Sequence, residues 1–176
     1  MAIYVDATTL IALGKIGALD LLTVSDRRVS VPGAVYEEVS TEPARSNLTR
    51  RLSDENGFDR TEIHGEHVDD ARATLDEAEA TGDVWIVAAV LSHRSADEAV
   101  AVVSDDRRVR TVARGFGATV TGTIGVVVRN VADGELTADE AKELVRRLDS
   151  HGLHMTGELR ETADELIDEA AGEAEE

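Results

Sequence analysis

The chain has no cysteine, two prolines, two phenylalanines, two tyrosines and one tryptophan. Without cysteine, disulfides and thiolate metal sites are excluded. With aromatics at only 3%, the 42% of apolar residues must build a core from valine, isoleucine, leucine and alanine. No apolar run approaches the roughly 20 residues that a membrane-spanning helix needs, so no membrane association is expected. The opening Met1-Ala2-Ile3-Tyr4-Val5 has neither a basic region nor a cleavage site, and cytoplasmic residence is the expectation. At 176 residues the chain fits the size of one domain with a sizeable core.

Lysine is also scarce. Only Lys15 and Lys142 occur among the 18 basic residues, against 36 acidic ones, for a net charge of −18. Phosphate backbones attract basic surfaces, so this balance superficially opposes a nucleic-acid partner. The acids are spread along the chain, however, as on a haloarchaeal-type surface solvated in a salty cytoplasm. Concentrated salt screens repulsion to a few ångströms, and the sign of the charge then says little about substrate. The competing reading is a protein that binds basic partners.

Short apolar runs alternate with helical stretches. Ala2–Val5, Arg28–Val31, Ala99–Val103 and Ala118–Thr121 read as strands, and Arg60–His64 as an edge strand. Ala7–Leu22 reads as an apolar helix loosened near Gly14 and Gly17. Pro32 suits the first turn of a helix carrying Ala34–Val39. Thr41–Asp59 is polar helix and loop, and Asp69–Ser92 is helical with a break near Gly82. Asp106–Phe116 is a helix bearing Arg107, Arg108, Arg110 and Arg114. Ile124–Val131 is apolar, Thr137 with Glu140 forms a capping box for a helix to Leu148, and a last helix runs from Thr156 to Ala170 before a frayed acidic end. This alternation predicts a three-layer α/β fold with a mainly parallel central sheet.

Four carboxylates hold chemically telling positions: Asp6, Glu38, Asp83 and Asp106. Asp6 closes the first apolar run and Asp106 follows Val100–Asp105. In an open parallel sheet the ligand crevice lies beyond the carboxyl ends of the strands, where two such aspartates face one site. Gathered carboxylates repel unless a cation neutralises them or some stay protonated. Hard cations such as Mg2+ or Mn2+ take oxygen ligands and serve phosphoryl chemistry. Taken singly, Asp6 and Asp106 are equally good helix N-caps, and Glu38 is an ordinary solvated helix residue. Thr8 and Ser104 can bond the neighbouring carboxylates or form local turns. Arg107, Arg108 and Arg110 suit phosphate contacts or a solvated helix face; Arg45, Arg50 and Arg51 form a second basic cluster suited to a substrate groove. The histidines (His64, His67, His93, His151, His154) are scattered and read as surface or boundary residues.

Four segments in order resemble the motifs of PIN domains. Tyr4-Val5-Asp6-Ala7-Thr8 is similar to the first, Val31-Pro32-Gly33-Ala34-Val35-Tyr36-Glu37-Glu38-Val39 to the second, Gly82-Asp83-Val84-Trp85-Ile86 to the third, and Val103-Ser104-Asp105-Asp106 to the fourth. The third departs from a commoner Gly-Glu-x-Glu pattern. Glu79, four residues before Asp83 and expected on the same helix face, is its rival there. The resemblance implies a PIN-like nuclease domain over residues 1–132 and a helical extension over 133–176 packed on the same domain. It implies a Mg2+- or Mn2+-dependent endoribonuclease, with Asp6, Asp83 and Asp106 as metal ligands, Glu38 completing the catalytic set, and Thr8, Ser104 and Arg107 at the substrate. It further implies a VapC-like toxin that cuts single-stranded or structured RNA, forms a homodimer and is blocked by a small antitoxin. The alternatives are a housekeeping RNA-processing nuclease, a non-catalytic interaction module, and a receiver-like or phosphatase protein that would want a lysine at the pocket.

Overall fold

The computed structural model describes residues 1–23, 27–55, 57–63 and 65–174. The chain divides into two compact units, Met1–Gly122 and Thr123–Glu176. Among the described residues of the first, five parallel strands form one sheet: β1 (Ala2–Val5), β2 (Arg28–Pro32), β3 (Asp59–Thr61), β4 (Val100–Val103) and β5 (Thr119–Thr121). Their spatial order is β3-β2-β1-β4-β5. The three-layer α/β expectation holds, with an all-parallel sheet flanked by helices.

Sequence decides which strands are central. Val5, Val102 and Val103 on β1 and β4 are buried, as suits a parallel sheet covered on both faces. The edge strands instead read Asp-Arg-Thr and Thr-Val-Thr, whose polar side chains discourage pairing with another chain. The expected edge strand over Arg60–His64 is realised as β3, one residue earlier; His64 lies outside the described residues, as do Glu175 and Glu176 of the acidic end.

Helices α1 (Ala7–Lys15), α2 (Gly33–Glu38), α3 (Ala44–Ser53), α4 (Val68–Leu75), α5 (Gly82–Ser95) and α6 (Arg107–Gly115) complete the first unit. The core is aliphatic, as the composition demands. Val84, Ile86, Val87, Ala88 and Val90 of α5 are all fully enclosed, and each valine or isoleucine so buried contributes about 1.5–3 kcal/mol. The long helix expected over Ala7–Leu22 stops at Lys15. Gly17 takes a left-handed φ of 70°, Ala18 N–H reaches back to Leu13 O at 2.9 Å, and Leu19–Leu22 form a separate 3-10 turn. The helical stretch over Asp69–Ser92 is two helices. Asp76 ends α4 in the left-handed region (φ 54°), and Thr81 caps α5 by accepting from Val84 N–H.

The second unit is helical: α7 (Thr123–Ala132), α8 (Ala138–Ser150) and α9 (Gly157–Ala174), each packed on the other two. The apolar segment Ile124–Val131 is thus a helix. The expected capping box is present, Thr137 and Glu140 bonding each other's backbone N–H. Lys142 pairs with Asp168 at 2.7 Å and Arg160 with Asp149 at 3.2 Å, linking α8 to α9. Among the described residues no helix is long and apolar enough to cross a membrane.

Candidate functional site

From β1 the chain builds outward to β2 and β3, then returns to place β4 and β5 on the other side of β1. The connections therefore diverge at the carboxyl ends of β1 and β4, the point at which open α/β sheets leave a crevice. Val5 and Val103 are register partners there, so the residues that follow them emerge side by side. Those residues include Asp6 and the run Ser104-Asp105-Asp106.

Asp6 is 3% exposed and caps α1. One carboxylate oxygen accepts from Thr9 N–H at 2.7 Å and the other from Asp105 N–H at 3.2 Å. Burial pushes its carboxyl above the ordinary value. Hydrogen bonds from the Ser104 and Thr9 side chains and the Thr9 backbone pull it back, and the Asp105 charge pushes it up again. Ser104 is fully buried, and its oxygen also accepts from Asp106 N–H at 3.1 Å. One hydroxyl thus ties the two acid-bearing turns together. Sequence reasoning named it as a substrate contact; in the structure its hydroxyl bonds the two acid-bearing turns. Asp106 caps α6 by accepting from Val109 N–H at 2.9 Å. Two helix N-termini therefore open on the crevice, and their partial positive charge favours an anion there.

Asp83 lies in the first turn of α5, and its carboxyl is pushed up to about 6. Burial is the largest cause, followed by the charges of Asp6, Asp106 and Glu38; Arg108 acts in the opposite direction. All four acids named from the sequence therefore act in one electrostatic field. Glu38 ends α2 and accepts from Gly82 N–H at 2.6 Å. A Cβ on Gly82 would lie 2.6 Å from that carboxylate, so the absence of a side chain is what lets Glu38 reach the start of α5. Arg45 steadies the end of α2. It donates to the Val39 carbonyl at 3.2 Å and to that of Tyr36, and stacks 3.5 Å from the centre of the Tyr36 ring.

One sequence expectation changes. Glu79 sits on an exposed bend ahead of α5 and does not share a helix face with Asp83. Thr8 is exposed, whereas Thr9, fully buried, bonds Asp6. Counting three residues from the cap would have found Thr9, because a cap side chain bonds the second or third helical N–H. Arg107 is exposed on α6; it is Arg108 whose charge is felt by Asp83. Arg108 donates to Leu75 O at 2.7 Å and to Glu77, tying the connection before α5 to α6, and nothing local in the sequence signals this. Of the second basic cluster, Arg45 bonds the end of α2, and Arg51 pairs with Asp20 at 3.0 Å and stacks on Phe58. Lys15, at the opposite end of α1 from Asp6, cannot serve the receiver-like reading.

Among the described residues no three acidic or histidine side chains already close a metal shell. The donor chemistry nevertheless fits a hard divalent ion, since four carboxylates with Arg108 as the counter-charge leave the field that raises Asp83. A model of the DUF3368 family, a PIN domain, matches residues 2–169. No curated protein matches the chain. PIN domains are generally nucleases and commonly use divalent metal ions. With its fold and nearly all of its length matched, the chain belongs to the PIN domain family, whose function is of the nuclease type.

Proposed function

We propose that the crevice is the active site of a Mg2+- or Mn2+-dependent endoribonuclease. The observation that carries this reading is the meeting of Asp6 and Asp106, tied together by Ser104 and by Asp105 N–H, with the Asp83 carboxyl raised to about 6 by burial and then by the charges of Asp6, Asp106 and Glu38. Such repulsion is relieved by a bound cation. Asp6, Asp83 and Asp106 would hold the ion, with Glu38 closing the pocket beside Gly82. A bound divalent ion supplies an activated water and neutralises charge on the scissile phosphate and leaving oxygen. The chain's own residues do the positioning. Ser104 sets Asp6 against Asp106, and the N-termini of α1 and α6 favour the phosphate. Thr8 and Arg107, exposed in the first turns of those helices, are the proposed substrate contacts.

The same proposal extends to a cytoplasmic toxin held in check by a small antitoxin, with housekeeping RNA processing as the alternative cellular role. A homodimer is supported by Leu159 and Leu166, which are 44% and 41% exposed and two turns apart on one face of α9.

The test is cleavage of a single-stranded RNA panel in high KCl with Mg2+ or Mn2+, comparing wild type with Asp6→Asn and Asp106→Asn. Metal-dependent cleavage lost in both variants is the expected result. A second reading, a non-catalytic interaction module, is favoured by the fact that Asp6 and Asp106 each cap a helix. No cleavage, and no metal uptake by calorimetry, would establish that reading instead.

A further inference from the structure

The same edge of the sheet carries a second feature. At the ends of β2 and β3, beside the strands that deliver the acids, lies an open cleft of about 290 Å3. It is lined by Pro32 and Thr61, which are register partners, and by Gly33, Glu62, Ile63 and Trp85. Trp85 is the only tryptophan of an aromatic-poor chain, and it is left partly uncovered in this cleft. It stands two residues after Asp83 on α5, roughly 200° around the helix. One helix end therefore presents an acid to the crevice and an indole to the cleft. Arg60 stands beside Gly33: its Nη2 lies 3.8 Å from where a Cβ on Gly33 would be, and its guanidinium stacks over Tyr36 at 4.6 Å.

We propose that this cleft is a nucleobase subsite, in which a base of single-stranded RNA next to the scissile phosphate stacks on Trp85. The inference rests on the nuclease reading above and adds where the substrate is gripped. Three observations select this occupant. The volume lies at the lower end of ligand pockets, about 300–1,000 Å3, and suits one ring system. Thr61 and Glu62 place hydrogen-bonding groups at the margin of an otherwise apolar surface, matching the polar edge and apolar face of a base. Arg60, beside Gly33, pairs with Glu37 through an exposed contact at 3.4 Å and lies over the Tyr36 ring; the pair is weak enough to yield to a phosphate.

The charge of the chain gives the physical reason for such a grip. At −18 the net charge of the protein repels a polyanion at long range, and salt screens that repulsion without supplying attraction. Base stacking needs neither a basic surface nor low salt, and it tolerates any sequence because every base has a π-face.

Because Trp85 is the sole tryptophan, its fluorescence reports on the cleft directly. The whole protein, in high KCl with a chelator, is titrated with a short oligoadenylate and with an equally long oligomer carrying abasic positions. Cleavage of a longer RNA with Mn2+ is measured in parallel. Saturable fluorescence change with oligoadenylate and none with the abasic oligomer is expected. Trp85→Ala should raise KM for RNA about 5- to 150-fold, more than it lowers kcat, and Trp85→Phe should recover most of that loss. If RNA is cut while the fluorescence is unmoved by either oligomer, the subsite is refuted and the nuclease reading stands. Base-dependent change without cleavage would uphold the subsite and remove the nuclease reading. An equal response to both oligomers would mean that phosphate alone is sensed, which also overturns the subsite.

Discussion

Replacing Asp83 with asparagine should stabilise the metal-free protein at neutral pH. The Asp83 carboxyl is raised from 3.8 to about 6, so the folded state holds its proton more tightly than the unfolded chain does. This group therefore favours folding fully below about 4, and its contribution is lost as the pH rises through about 6. At pH 8 the ionised carboxylate opposes folding. The whole displacement corresponds to about 3 kcal/mol. Because the side chain keeps partial contact with solvent, screening reduces this to about 1–1.5 kcal/mol. Asparagine keeps the shape and removes the charge, so Asp83→Asn should gain that amount at pH 8 and little at pH 4.5. Urea unfolding of both proteins in constant KCl with chelator measures it, as a rise of about 0.5 M in midpoint at unchanged slope. High salt weakens the repulsion from Asp6, Asp106 and Glu38 but not the burial, which is the largest cause, so most of the gain should survive in KCl. A variant no more stable than wild type at pH 8, or a gain independent of pH, would refute the raised Asp83 carboxyl.

Two glycines yield further tests of opposite character. On Gly14 a Cβ would meet the backbone and side chain of Ala44 at 3.0 Å, so Gly14→Ala should force α1 from α3 and cost about 1–3 kcal/mol in thermal unfolding. On Gly82 the three atoms nearest an added Cβ all belong to the movable end of Glu38. Gly82→Ala should therefore change stability by less than about 1 kcal/mol, while reducing metal-dependent RNA cleavage as much as Glu38→Gln does.

The parts of the site that were legible in the sequence are those that local chemistry specifies. Asp6 and Asp106 stand where apolar runs end, and a strand followed by a capping residue is a pattern contained in a few positions. Asp83 opens a stretch apolar enough to be enclosed on nearly every side, Val84 and Ile86 to Val90 all being buried. Glu38 could be named from motif position alone, because an exposed glutamate in so acidic a chain carries no local signal. The misplacements have local causes too. Apolar residues continue past Lys15 and the helix formers Glu and Ala run through residues 77–80, whereas the left-handed Gly17 and Asp76 stop the helices. Thr8 and Thr9 are chemically the same, and only the phase of α1 buries one of them.

By itself the sequence determined the alternation of strands and helices, the aliphatic core, the polar sheet edges and the caps that set the acids at helix starts. These follow from interactions within a turn or two of chain. The tertiary structure alone decided which acids share a field and what restrains them. Asp105 N–H meets Asp6 across 99 residues, Gly82 meets Glu38 across 44, and Arg108 meets Leu75 across 33. The order β3-β2-β1-β4-β5 makes those meetings possible, and strand order is set by how whole faces pack, not by the residues of any one segment. The raised Asp83 carboxyl has the same origin, since burial and three distant charges create it and none of them is encoded beside it.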